Sequence, residues 1–134
     1  WDVIEHIDSP HAILDRISYA NDQETGTLLI EMIASYGMPV GREVFETCVW
    51  VGRMIQAHEG HYRLIYRKDV KMHLCGSMKA KDGNVRQAIM DRYGSTRRAA
   101  IGTKKAPGPL YGVSKDVWSA VAVAITGTET NAGL

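Results

Sequence analysis

The stretch Thr27-Leu28-Leu29-Ile30-Glu31-Met32 decides how this chain is read. It is short and apolar, and it lies between a polar connection ending at Gly26 and a loop containing Gly37, Pro39 and Gly41. That pattern predicts a buried strand. Glu31 is the anomaly inside it. A carboxylate in an apolar strand is costly unless it is solvated, paired with a cationic side chain or bound to a metal ion. Glu31 is therefore either a residue of a half-exposed face with a Lys or Arg partner, or a functional ligand.

Outward from this strand, the sequence alternates between strand and helix patterns. Residues 1–7 read as a strand, and Ser9-Pro10 as the start of a helix running to about Ala20, with Ile13, Leu14, Ile17 and Tyr19 on its apolar side. Residues 43–57 predict a long helix, with Val44, Cys48, Val51 and Ile55 along one face. Residues 61–66 alternate as a third strand, and residues 69–74 predict one or two helical turns stopped by Gly76. Residues 82–93 predict an amphipathic helix with Val85, Ala88, Ile89 and Tyr93 inward and Gly94 as its C-terminal stop. Residues 95–113 read as a flexible basic loop. Ser114 then caps a last helix, with Asp116 in its first turn and Ala120, Ala122 and Ala124 permitting close approach to a sheet. One α/β domain with a mixed sheet, spanning 1–134, is the expectation.

Composition narrows the class. A chain of 134 residues can bury a core, and 45% hydrophobic with 23% charged residues excludes a disordered or fibrous protein. No apolar run reaches the roughly 18 residues of a membrane span. The first residues lack a secretory signal pattern, and Cys48 and Cys75 read as buried or half-buried thiols of a reducing compartment, so a cytoplasmic protein is expected. The histidines show no zinc-site spacing, and Gly102-Thr103-Lys104-Lys105 lacks the spacing of a P-loop.

The net charge of +1 conceals a strong asymmetry. Residues 1–60 carry three basic against ten acidic groups, whereas residues 61–115 carry thirteen basic against three acidic groups. A segment this basic points to a polyanion, because clustered Lys and Arg neutralise phosphates and release counterions. The other reading is a solvated basic face. Lys79, Lys81, Arg97, Arg98, Lys104 and Lys105 are the candidate phosphate contacts. Tyr36 or Met38, in the loop after the Glu31 strand, can pack on an unpaired base; the alternative is an ordinary glycine-rich connection. Asp116 taken alone reads as a carboxylate favoured by the helix macrodipole.

Together, Leu29-Ile30-Glu31 and Asp116-Val117-Trp118-Ser119-Ala120-Val121-Ala122-Val123-Ala124-Ile125-Thr126 resemble the RuvC-type Holliday junction resolvases of the RNase H-like nuclease superfamily. The segments Tyr66-Arg67-Lys68-Asp69-Val70-Lys71 and Lys79-Ala80-Lys81-Asp82, and the helix through Tyr93, are similar to the same part of these enzymes, most of all to their phage-encoded relatives. The resemblance covers residues 27–126 and implies a mixed five-stranded sheet flanked by helices. It implies a structure-selective endonuclease that cuts branched DNA as a homodimer. Its acidic cluster would hold two divalent ions, Mg²⁺ or alternatively Mn²⁺. Carried over, Glu31 and Asp116 are catalytic metal ligands, and Ser119 falls where the family has a further acidic group on the last helix. Trp1-Asp2-Val3-Ile4 matches the family's second strand, so the first strand with its Asp is expected to be lacking, leaving a truncated domain with weak catalysis and an exposed sheet edge. Two other expectations stand beside this one. They are a non-catalytic nucleic-acid-binding module of the same fold, and another RNase H-like nuclease.

Overall fold

The computed structural model describes residues 9–21 and 26–134. The strand expected over 1–7, with Asp2, lies outside these residues. The Thr27–Met32 run forms β1 (Leu28–Met32), which pairs in parallel with β2 (Tyr62–Tyr66), Glu31 standing opposite Ile65. Parallel neighbours need a crossover connection, and α2 (Arg42–Ala57) supplies it. α1 (Pro10–Asn21) packs on α2, with His11 edge-on to Trp50 and the Asn21 amide donating to the Ala57 carbonyl at 2.7 Å.

α3 (Arg67–Cys75) begins directly after β2, two residues earlier than its pattern predicted, because the Asp69 carboxylate accepts the Tyr66 N–H and starts the helix there. α4 (Asp82–Tyr93) has the predicted bounds. Asn84 accepts the Lys81 N–H at 2.9 Å and fixes its first turn. α6 (Val117–Glu129) is the centre of the molecule. Trp118, Val121, Ala122, Val123, Ile125, Thr126 and Gly127 are all buried, as expected of a helix that is apolar around its circumference. It contacts β1, β2, α3 and α4. The core joins Ile65 of β2, Val70 of α3, and Val85, Ile89 and Met90 of α4 to this helix. Among the described residues the architecture is α/β, with six helices and a two-stranded parallel sheet.

Three local expectations are corrected. Cys48 is exposed, lying on the same outward face of α2 as the exposed Phe45 and Val49. Gly94 is the C-cap of α4, as expected; its backbone is extended (φ −178°), and its missing side chain is needed because a Cβ would stand 2.6 Å from the Ala100 nitrogen. Residues 95–113 are structured rather than a plain loop. Thr96 caps the short α5 (Arg97–Ala100), Gly102 bridges to Pro107, and Leu110 is buried in the core. Asp116, not Ser114, occupies the N-cap of α6; Ser114 contributes its carbonyl, which accepts the Val117 N–H. No helix of the described residues is long and apolar enough to cross a membrane.

Candidate functional site: a charged pocket at the head of the central helix

Glu31 lies near the end of β1, and its side chain keeps 35% of its surface exposed. Arg67, the first residue of α3, turns back toward it, with Nη1 3.8 Å from the Glu31 Oε1. That is an ion pair but too long for a hydrogen bond. The second arm of the guanidinium, Nη2, donates to the Asp82 Oδ1 at 2.5 Å. Arg67 thus ties the end of β1 to the start of α4. Its own side chain is 24% exposed, and its Nη1 is shielded from solvent with no hydrogen-bond acceptor among the described residues.

The electrostatics follow from this placement. Burial pushes the Glu31 carboxyl above its ordinary range, partly offset by the Arg67 charge, with Asp82 adding to the rise. Asp82 is held below its ordinary range, first by its hydrogen bond from Arg67 and then by the Arg67 charge. The two carboxylates therefore compete for one guanidinium, and the exposed Asp82 has the closer contact.

Arg67 opens into a pocket of about 150 Å³ lined also by Asp82, Arg86, Lys115, Asp116 and Ser119. Val85 and Trp118 form its apolar wall, and the Arg86 guanidinium lies 5.3 Å over the Trp118 ring. Lys115 is held at φ +47°, a left-handed conformation that side-chain-bearing residues rarely adopt. Asp116 and Ser119, at the N-cap and first turn of α6, also line the pocket, so residues 85 and 88 positions from Glu31 are joined to it through Arg67.

Arg67, Arg86 and Lys115 were not singled out by sequence reading. Their type was visible in the basic segment, but their convergence depends on the turn from β2 into α3. Asp82, which the resemblance leaves without a role, is the carboxylate that grips Arg67. The remaining candidates are dispersed and exposed. Tyr36 (φ +50°) and Gly37 (φ +79°) form the centre of a tight turn closed by Met38 N–H to the Ser35 carbonyl, which displays Tyr36 outward. Lys79 and Lys81 lie in the connection before α4, and Arg97 and Arg98 in α5. Lys104 and Lys105 stand at the tip of a turn closed by reciprocal Thr103 and Ala106 backbone bonds.

Glu31 and Asp116 offer the hard oxygens that Mg²⁺ or Mn²⁺ prefers. The described residues do not by themselves fit a two-metal centre. No group of three His, Cys, Asp or Glu that could hold an ion occurs among them, and the Arg67 guanidinium stands beside Glu31 where a cation would otherwise sit. No protein-family model, curated protein or solved structure was found to match the chain.

Proposed function

We propose that this chain carries the RNase H-like core of a structure-selective endonuclease that acts on branched DNA, with Glu31 and Asp116 as its catalytic carboxylates. One observation carries the reading: Arg67, which pairs with the carboxylate of the apolar strand, also lines the charged pocket that contains Asp116 at the head of the last helix. A parallel strand pair joined by a helix, with a buried last helix across it, is compatible with that fold, and further strands would add along the open edge of β1. The proposed ion is Mg²⁺, with Mn²⁺ as a substitute; at least one more carboxylate must join Glu31 and Asp116 to bind it.

A homodimer fits two symmetric nicks. The exposed stripe of Phe45, Cys48 and Val49 on α2, with both Phe45 and Val49 at 63%, supplies an apolar surface suited to self-association. The dispersed lysines and arginines would track the DNA arms.

The test is a synthetic four-way junction incubated with the protein in Mg²⁺ and in chelator. Nicking that needs the divalent ion and is abolished in Glu31→Gln, with binding retained, is the expected result. Glu31→Gln cutting as well as wild type would remove Glu31 from the site. Junction binding without cleavage in any divalent ion would instead favour a non-catalytic nucleic-acid-binding module, a reading motivated by Ser119 and by Arg67 standing among the carboxylates.

A further inference from the structure

We propose that Arg67, Arg86 and Lys115 form a phosphate-holding pocket that positions a backbone phosphate of the bound strand against the head of α6. The inference rests on the nucleic-acid reading above and assigns the binding role to residues distinct from the carboxylates. Three cationic side chains from the start of α3, from α4 and from the approach to α6 converge on one cavity of about 150 Å³. The lining sets these three cations against two carboxylates, Asp82 and Asp116, an excess of one positive charge that a bound anion would share.

Each of the three cations shows a feature of its own. The Arg67 Nη1 is buried and lacks an acceptor among the described residues, while Nη2 is anchored by Asp82. Nη1 faces Glu31 at 3.8 Å, so Arg67 is fixed between two carboxylates and lends the pocket its charge in a set position. Arg86 is braced over the Trp118 ring. Lys115 is held in a left-handed backbone conformation immediately before Asp116, and strain of this kind persists where a side chain must be aimed.

Asp82 and Asp116 also line the pocket, and Glu31 faces Arg67 from β1. Asp82 orients the fork, and the other two carboxylates limit how much negative charge the pocket accepts. A tetrahedral phosphate offers acceptor oxygens for Arg86, Lys115 and the Ser119 hydroxyl within the field of Arg67.

The experiment uses inorganic phosphate as the first probe. It is titrated at constant ionic strength against chloride while the Trp118 indole N–H resonance is followed, assigned with Trp118→Phe. A saturable shift is expected, weakened about tenfold or more in Arg86→Gln and in Lys115→Asn, as for loss of a charge-assisted hydrogen bond. Asn tolerates the left-handed backbone, so Lys115→Asn removes the charge and not the turn. A shift that does not saturate, or that saturates equally in both variants, overturns the pocket.

The second arm measures four-way junction affinity at low salt, where each variant should lose about tenfold and flatten the salt dependence. Junction binding unchanged in both variants overturns the positioning role even if phosphate binds. Saturable phosphate binding with no affinity for any nucleic acid keeps the anion pocket but overturns the assignment of its ligand to a nucleic-acid strand. Metal-dependent nicking without saturable phosphate binding leaves the nuclease reading standing and removes the pocket.

Discussion

The Glu31 carboxyl carries two opposed influences, burial that favours its neutral form and the Arg67 charge that favours its ionised form, and burial dominates. A carboxyl whose folded pKa is raised contributes stability that is fully present below its unfolded value near 4.5 and is lost as pH rises through the folded value. Ionised Glu31 is therefore a net cost near neutrality. Glu31→Gln should be as stable as wild type or more so at pH 7.5, with the difference vanishing below pH of about 4, as measured by urea unfolding at both pH values. Glu31 was legible as a charge interrupting an apolar strand. Arg67 was not, because one arginine among thirteen basic groups in residues 61–115 has no local mark of a bridging role.

α6 shows how one element serves both core and site. A Cβ on Gly127 would lie 2.6 Å from the Leu29 Cδ1, so glycine lets β1 seat directly on this helix. Gly127→Ala should cost about 1–3 kcal/mol by overpacking, and Leu29→Ala in that background should cost less than its effect in the wild type. A double-mutant cycle by urea unfolding reads this coupling. The same end of the helix is gripped by Arg63, whose guanidinium donates to the carbonyls of Gly127, Thr130 and Ala132. These are carbonyls at the negative end of the helix, where a cation is favourable. Arg63→Met should destabilise by roughly 2 kcal/mol or more, since it removes charge-assisted bonds to part-buried acceptors. The small residues of α6 were legible as a close-packing signal. The sequence pattern pointed to Ala120, Ala122 and Ala124, and did not single out Gly127, where a Cβ would collide with Leu29 of β1.

Across the whole molecule, the basic segment separates into two populations. Arg63, Arg67 and Arg92 are used internally: Arg63 on carbonyls, Arg67 on Asp82, and Arg92 on Glu129 at 2.7 Å. Glu129 also accepts from His73 at 2.7 Å, so α3, α4 and α6 meet at one carboxylate. The His73 hydrogen bond, helped by Arg92, holds Glu129 below its ordinary range. Its contribution is present above the unfolded glutamate value and is lost as pH falls through the lowered folded value. Glu129→Gln should flatten the acid limb of a stability–pH profile, and the wild-type effect should shrink in high salt because the group is exposed. The second population, Lys79, Lys81, Arg97, Arg98, Lys104 and Lys105, faces solvent. If these contact phosphates, Lys104→Ala with Lys105→Ala should weaken DNA binding uniformly across sequences. It should also lower the slope of log K against log salt by about one per lysine engaged.

Hydrophobic period and helix-end chemistry are local, and for that reason both strands in the described residues and the helices over Pro10–Asn21, Arg42–Ala57, Asp82–Tyr93 and Val117–Glu129 could be read from the chain to within a few residues. Glu31 could be read in the same way, as a conflict between one residue and its neighbours. Residues 95–113 could not, since Gly and Pro signal a loop whether or not it packs, and the burial of Leu110 and the close approach of Gly94 to Ala99 and Ala100 exist only once α5 and the segment after it fold back on α4 and the core. The pocket has the same origin. Its charged members come from α3, α4 and the head of α6, with Glu31 of β1 facing Arg67, and the field they share depends on distances that no spacing along the chain encodes.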